Sequence, residues 1–248
     1  MRSYLLALSF LTVLPIKINY LASDEQMERT LFFYPVVGTT LGIILVAVSW
    51  LGHYLQLGIA ADTLTVITLV VLTGGLHLDG LMDTADGVMS GKEREKKLEI
   101  MKDSRVGAMG VIACVAVLIL KITLLSVLPL SLKFRALILA PAAGRWAFVY
   151  GITSFPYARL KPGLGSIYSK KKKEIILFIT TVILVLTGFV LLKWQGLIIV
   201  AATLGFLFLL NRGFMKILGG VTGDTYGATG ELAETWVLLV AAVLSRVV

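Results

Sequence analysis

Apolar stretches recur along this sequence, and each approaches the roughly 20 residues that a helix needs to cross a bilayer. The composition agrees, because 57% of the residues are hydrophobic, 15% are charged and the mean hydropathy is +0.90. Soluble domains are much more polar. We therefore expect an all-α polytopic membrane bundle forming a single domain over residues 1–248. Seven spans are expected near 33–52, 61–78, 106–128, 136–154, 175–193, 196–215 and 230–247.

The N-terminal segment is apolar but shorter than a span. SYLLALSFLTVLPI (3–16) is followed by Lys17 and has no small-residue cleavage site. Its length predicts a short interfacial or re-entrant helix, with an uncleaved signal segment as the alternative.

Basic residues predict the orientation of the chain, because they accumulate in short cytoplasmic loops. The strongest basic segments are 92–105 and 157–173. With seven alternating spans, loops near 79–105, 156–174 and 216–230 share one side, which we expect to be cytoplasmic. Lys133, Arg135 and Lys193 count weakly against this orientation. The net charge of +8 is then explained by topology and contact with anionic lipid, and we expect no nucleic-acid partner.

An acidic motif, LHLDGLMDTADGVMSG, follows the second apolar run at 76–91. On a helix the offsets between Asp79, Asp83 and Asp86 place the three carboxylates within an arc of about 60°. Unpaired, they would repel one another, so a hard divalent cation such as Mg²⁺ is the expected partner. The alternative is a solvated acidic helix end that pairs with nearby lysines.

A second motif, GGVTGDTYGATGELAE, covers residues 219–234. Its glycines, Gly223 and Gly227 among them, predict a loop whose backbone approaches a ligand closely, with Asp224 inside it. Glu231 and Glu234 are expected to open the last span. These glutamates either contact a ligand at the helix start or simply interact favourably with the helix dipole there.

Cationic residues near these motifs suggest an anionic ligand. In KDSRVGAMG (102–110), Asp103 or Ser104 can cap the third span, while Gly107 admits a phosphate and Arg105 binds it. Arg145 lies within a span and is expected to face a polar cavity, with snorkelling as the alternative.

Three further features have simpler explanations. Lys121 is expected to snorkel outward, and His77 to be a satisfied histidine at the membrane boundary. Gly38 and Gly42 match a glycine pair that seats another helix of the same chain.

These residues indicate a membrane enzyme that binds Mg²⁺ and a phosphorylated substrate, and phosphoryl transfer fits best. The sequence contains no P-loop, zinc spacing or nucleophilic serine motif. A CDP-alcohol phosphotransferase is one alternative, although its downstream aspartates do not occur here. A cation-coupled transporter is another, but the acids cluster at one membrane face and no internal repeat is found.

The motifs TGGLHLDGLMDTADG, EIMKDSRVGAMG, PAAGRW and GGVTGDTYGATGELAE together resemble the cobalamin synthase (adenosylcobinamide-GDP ribazoletransferase) family. The resemblance covers about 73–110, 141–165 and 211–236, plus FLTVLP near the start. It implies that adenosylcobinamide-GDP and α-ribazole, or its 5′-phosphate, give adenosylcobalamin, or its 5′-phosphate, and GMP. Mg²⁺ is the implied cofactor and the cytoplasmic membrane the implied location, with the site facing the cytoplasm. The resemblance is compatible with a homo-oligomer or with contact between this chain and other corrinoid-pathway enzymes.

The resemblance also implies roles for individual residues. Asp79, Asp83 and Asp86 would hold the metal, with Asp224 as a further ligand or as the base for the ribazole hydroxyl. Positive charge on the phosphates would come from Lys102, Arg105 and, on the membrane side, Arg145. The 219–230 loop would hold a nucleotide. The implied substrate-binding set is completed by Asp103, Gly107, Gly223, Gly227, Glu231 and Asn211.

Overall fold

A computed structural model describes residues 2–19, 21–159 and 170–246, without the side chains of 170 and 171. These residues form helices joined by short connections, with a 3-10 turn, Leu31–Phe33, between the second and third helices. The helices are α1 Arg2–Leu11, α2 Asp24–Thr30, α3 Tyr34–Tyr54, α4 Ile59–Thr73, α5 Leu76–Met89, α6 Arg94–Ile100, α7 Ala108–Val127, α8 Leu130–Ser154, α9 Lys170–Leu218 and α10 Gly223–Leu244.

Five helical segments in the described part of the chain are long and apolar enough to cross a membrane. A sixth span is obtained if α4 and α5 are counted together, although they are bent by 89° relative to each other. The five segments are Asp24–Tyr54, Ala108–Val127, Leu130–Ser154, Lys172–Leu218 and Gly223–Leu244.

The longest of these segments reverses direction at Lys193, whose backbone is non-helical (φ 52°, ψ −129°). The backbones of Gly188 and Gly196 touch across the break. Eight residues of continuous helix would separate them by about 12 Å. α9 therefore consists of two antiparallel arms, 170–192 and 194–218. With each arm counted as a span and the α4–α5 pair as one, the total matches the seven spans expected from the sequence.

The expected straight span at 61–78 is wrong, because α4 ends at Thr73 and the chain turns through Gly74 and Gly75. Both glycines have positive φ, 62° and 71°, a conformation that other residues adopt reluctantly. α4 has 15 residues, about 22 Å of helix, which is too short to cross the core alone. α5 packs across the N-terminal parts of α10 and α7 and lies outside the five spanning segments.

Contacts between connecting segments define one end of the bundle, which we call the site face. It contains the connection 90–107, the segment 155–159 and the turn 219–222. Arg94 donates hydrogen bonds to the carbonyls of Leu218 and Ala158, at 2.7 and 2.9 Å. A β-bridge also joins Tyr157 to Val221. The three basic or glycine-rich loops thus share a side as expected, although residues 160–169 of the second loop lie outside the described residues.

The opposite end of the bundle contains a buried polar cluster. Lys133 Nζ lies 2.8 Å from Asp62 Oδ1 and 3.0 Å from His53 Nε2. Asp62 neutralises the charge of Lys133. This lysine therefore argues less strongly against the orientation in which the basic loops are cytoplasmic. The cluster joins the end of α3 and the start of α4 to the start of α8.

Small residues determine how closely the helices pack. A Cβ at Gly42 would lie 2.5 Å from Ile138 Cα, and one at Gly38 would overlap the Pro141 backbone. The expectation that this glycine pair seats another helix is confirmed, and the partner is α8. The expected short N-terminal helix is α1, which is held by a hydrogen bond from Val13 N–H to the Leu72 carbonyl at 2.9 Å.

The reversal in α9 predicts which positions share a side of the membrane. In a Cys114→Ala background, single cysteines at Lys92 and Lys172 should react with an impermeant maleimide from one side of sealed vesicles. A cysteine at Lys193 should react only from the other side. Labelling of all three positions from the same side would contradict the two-arm arrangement.

Candidate active site

α5 carries the acidic face that the sequence predicted. Asp79 is exposed and Asp83 and Asp86 are half-buried on this helix. Burial, with the neighbouring carboxylates of Asp79, Asp224 and Asp86, raises the pKa of Asp83 to about 6. The four acids therefore share one electrostatic environment that disfavours the accumulated negative charge.

Gly80 brings α10 against the side of α5 that adjoins this acidic face. A Cβ at Gly80 would lie 2.8 Å from the Asp224 carbonyl oxygen and 3.1 Å from its Cα. One turn further along α10, a Cβ at Gly227 would lie 2.9 Å from the His77 carbonyl. The two backbones are thus in direct contact, and Asp224 is placed beside the acids of α5.

The expected ligand-binding loop at 219–230 is wrong for most of its length, because α10 begins at Gly223. Thr222 and Thr225 form a capping box, with N···O distances of 2.8 and 3.2 Å, which starts the helix earlier than expected. Asp224 consequently lies in the first helical turn. Gly227 serves helix packing, whereas a Cβ at Gly223 would meet nothing within 4 Å, so its backbone stays open to a ligand.

Arg159 is a site residue that the sequence analysis missed. Its Nη2 donates to Asp224 Oδ2 at 2.5 Å. Hydrogen bonds from Ala158 N–H to Val221 O (2.8 Å) and from Val221 N–H to Pro156 O (2.9 Å) fix the backbone beside it. In the sequence Arg159 opens a basic loop, so its charge was explained by topology. The signal in the sequence that could have identified it is a single arginine that precedes the run of lysines at 170–173.

Asp86 has a structural role at the start of α7. It accepts hydrogen bonds from Gly107 N–H at 2.7 Å and Gly110 N–H at 2.8 Å. The expected cap by Asp103 or Ser104 is wrong, since Gly107 occupies the N-cap position and Asp86 satisfies the free donors. The glycines leave room for this carboxylate, because a Cβ at Gly110 would lie 2.5 Å from Asp86 Oδ2. A carboxylate has further lone pairs, so Asp86 keeps capacity for a cation.

Arg105 pairs with its neighbour in the 90–107 connection. Its guanidinium donates to both oxygens of Asp103, at 2.6 to 3.2 Å, and its side chain is 87% exposed. These hydrogen bonds lower the pKa of Asp103 to about 2. Lys102, beside them, is exposed. Arg105 is thus paired with Asp103 rather than with the α5 acids.

Beneath the acidic face lies a buried ion-pair cluster of four residues, which we call the charged quartet: Lys121, Arg145, Glu231 and Glu234. Lys121 donates to Glu231 at 2.6 Å and also to Glu234, and Arg145 donates to Glu234. Each residue is at most 5% exposed. The two cations balance the two carboxylates, as a low-dielectric interior requires.

The charged quartet corrects three expectations. Lys121 does not snorkel outward, because Glu231 and Glu234 pair with it inside the bundle. The two glutamates do not open the last helix, which begins at Gly223. Arg145 faces Glu234 rather than an open polar cavity, and its Nη2 lies 3.4 Å from His77 Nδ1. His77 is buried, and its partner is in the quartet.

Asn211 is buried in α9 and donates to the Leu207 carbonyl at 3.0 Å. Its Oδ1 has no hydrogen-bond partner among the described residues. The contact with substrate that the sequence analysis assigned to Asn211 remains a prediction.

The carboxylates fit a metal site that a substrate would complete. Within the described residues, no three His, Cys, Asp or Glu side chains are close enough to hold a metal on their own. Mg²⁺, however, usually takes one or two carboxylates and fills its remaining positions with substrate phosphate and water. Burial, together with the neighbouring carboxylates, raises the pKa of Asp83, and a cation bound there would offset the accumulated negative charge.

The chain matches one known protein family over most of its length. The model of the family described as cobalamin-5-phosphate synthase matches residues 3–242. A relative from Desulforamulus reducens, named adenosylcobinamide-GDP ribazoletransferase, is 49% identical over 233 residues, covering 94% of this chain and 93% of the relative.

Two further relatives carry the same name. The protein from Roseiflexus sp. is 42% identical over 228 residues, covering 92% of this chain and 84% of its own length. The protein from Desulfitobacterium hafniense is 40% identical over 248 residues, covering 96% of both chains. No solved structure matches the chain.

The charged quartet predicts a large effect of removing one of its charges. Glu234→Gln should lower the free energy of unfolding by about 3–5 kcal/mol, because Lys121 and Arg145 are left with one carboxylate. Unfolding in detergent micelles measures this. Glu99→Gln, which breaks an exposed pair with Lys96 (2.8 Å), is the matched control and should change stability by less than about 0.5 kcal/mol. Equal effects of the two substitutions would contradict the assigned role of the quartet.

Proposed function

This chain belongs to the cobalamin-5-phosphate synthase family and is a transferase, and we propose that it joins adenosylcobinamide-GDP to α-ribazole or its 5′-phosphate. The observation that carries this proposal is the contact of Gly80 with Asp224. It places a fourth carboxylate and the guanidinium of Arg159 beside the acidic face of α5. That combination of acids and a cation suits a pyrophosphate with a bound divalent metal.

In the proposed reaction the oxygen of a ribose hydroxyl that is free in both α-ribazole and its 5′-phosphate forms a bond to the phosphorus on the corrinoid side of the pyrophosphate. The bond from that phosphorus to the bridging oxygen breaks, and GMP leaves with the electron pair. The hydroxyl proton passes to a carboxylate. Phosphoryl transfer of this kind needs mainly in-line positioning and neutralisation of phosphate charge.

The acids of α5 would provide the metal site. We propose that Asp79 and Asp83 hold Mg²⁺ together with the pyrophosphate oxygens, and that Asp86 supports them from its position against α7. The ion would neutralise charge on the pyrophosphate. Because α5 is fixed at its start by His77 and at its end by Asp86, the two ligand side chains are held on one rigid helix.

Asp224 is proposed as the group that accepts the ribazole proton. It lies in the first turn of α10 and opposes α5 across the Gly80 contact. The open backbone at Gly223 leaves space beside it for the sugar. Arg105 and Lys102, which are exposed on the 90–107 connection, are proposed to contact the GMP portion once Arg105 exchanges Asp103 for phosphate.

We further propose that the site face is cytoplasmic and that the membrane is the cytoplasmic one. The basic segment 92–105 and Arg159 belong to this face, and positive charge favours the cytoplasmic side. We propose that both substrates reach the acids of α5 from that side.

The proposal predicts Mg²⁺-dependent turnover that needs the α5 acids. The purified chain in lipid vesicles should release GMP and form the corrinoid product from adenosylcobinamide-GDP and α-ribazole, and EDTA should abolish this. Asp83→Asn should reduce the rate at least about 10²-fold, because a charge that holds the metal is lost. Asp24→Asn, an exposed carboxylate of α2, is the control and should retain the wild-type rate. A folded wild type that forms no product would refute the substrate assignment.

The Gly80 contact predicts an effect of a single methyl group. Gly80→Ala should slow product formation on the order of 10²-fold, because α5 and α10 must move apart and Asp224 is displaced from the pyrophosphate. Gly213→Ala is the matched control, since a Cβ there would meet nothing within 4 Å. Wild-type activity of Gly80→Ala would show that this contact does not position the reacting groups.

A further inference from the structure

We propose that Arg159 is a phosphate-binding residue of this site and that phosphate competes with Asp224 for its guanidinium. The inference rests on the proposed function, because it assumes that a pyrophosphate binds at the carboxylates of Asp79, Asp83 and Asp224. Its geometry is independent of that assumption. Arg159 Nη2 donates to Asp224 Oδ2 at 2.5 Å, and the side chain is 18% exposed.

Arg159 has donors to spare. A guanidinium carries five N–H groups in a planar fork that matches phosphate oxygens. In addition to Asp224, Nη2 lies 3.5 Å from the Met101 carbonyl. Nε is buried and has no hydrogen-bond partner among the described residues. A buried donor without a partner costs free energy, and a phosphate oxygen bound against the guanidinium would remove that cost.

The other arginines near the acids are committed elsewhere. Arg94 donates to the carbonyls of Leu218 and Ala158. Arg145 Nε also has no partner among the described residues, but Arg145 is fully buried in the charged quartet. Arg105 is bound to Asp103 and largely exposed. Arg159, by contrast, is one of the charges that act on Asp83 and is bonded to Asp224.

The backbone at Arg159 is positioned for this role. The Ala158 carbonyl accepts a hydrogen bond from Arg94, and the Ala158 N–H donates one to the Val221 carbonyl. Both backbone polar groups of the residue before Arg159 are therefore hydrogen-bonded. Thr222, which follows Val221, is the N-cap residue of α10 and donates to Asp224 Oδ2 at 3.3 Å. When a phosphate replaces Asp224 on the guanidinium, the carboxylate loses its cation and is free to act on the ribazole hydroxyl.

This exchange predicts opposite effects of one substitution on two ligands. Arg159→Gln should weaken the binding of GDP, measured in EDTA, on the order of tenfold or more, because a charge-assisted contact to phosphate is lost. The same substitution should tighten the binding of Mn²⁺ alone about threefold, as followed by electron paramagnetic resonance. The reason is that the positive charge of Arg159, which repels Mn²⁺ and pairs with Asp224, is removed from beside the acids. Arg159→Lys should bind GDP with intermediate affinity, since it keeps the charge without the planar fork.

Arg29→Gln is the matched control, because Arg29 is an exposed guanidinium that pairs with Glu25 at 2.9 Å on α2. It should change neither affinity. Weakening of both ligands by Arg159→Gln would indicate a structural role and overturn the inference, as would unchanged GDP binding. Both measurements are independent of product formation. If the wild type forms no cobalamin product, but Arg159→Gln still weakens GDP binding and tightens Mn²⁺ binding, the proposed substrates are refuted and the role of Arg159 stands.

Discussion

The ion pairs of Lys121 and Arg145 with Glu231 and Glu234 connect α7, α8 and α10 inside the membrane-spanning part of the bundle. Charged groups in such surroundings are costly unless they neutralise one another, so each of the four side chains fixes the others. His77, at the start of α5, lies 3.4 Å from Arg145 and extends the connection to the helix with the acidic face. The orientation of the candidate site therefore depends on electrostatics one layer below it.

Above the charged quartet, the site is shaped by residues that have almost no side chain. Gly74 and Gly75 turn α5 away from α4, and Gly80 lets α10 approach until Asp224 faces the acids. Gly107 and Gly110 leave room for the Asp86 carboxylate at the start of α7. The candidate site thus lies at a junction of helix ends, where free backbone N–H groups and carboxylates meet.

Much of the architecture is readable in the sequence because it depends on local patterns. The lengths of the apolar runs predict the spanning helices, and the spacing of Asp79, Asp83 and Asp86 predicts their common face. The pairing of charges is different, because Lys121 and Glu231 are separated by 110 residues and Arg159 and Asp224 by 65. No local signal distinguishes a lysine that snorkels from one that meets a distant glutamate. The early start of α10 was missed because glycines suggested a loop, whereas here they serve helix contact.

The central claim is that a pyrophosphate binds between the acidic face of α5 and the first turn of α10. The most direct measurement is a cryo-EM structure of the chain in a lipid nanodisc with adenosylcobinamide-GDP and Mg²⁺, without α-ribazole. We expect the metal on Asp79 and Asp83, the pyrophosphate between them and Asp224, and Arg159 on a phosphate oxygen. A pyrophosphate bound away from these carboxylates, with Arg159 still on Asp224, would contradict the account.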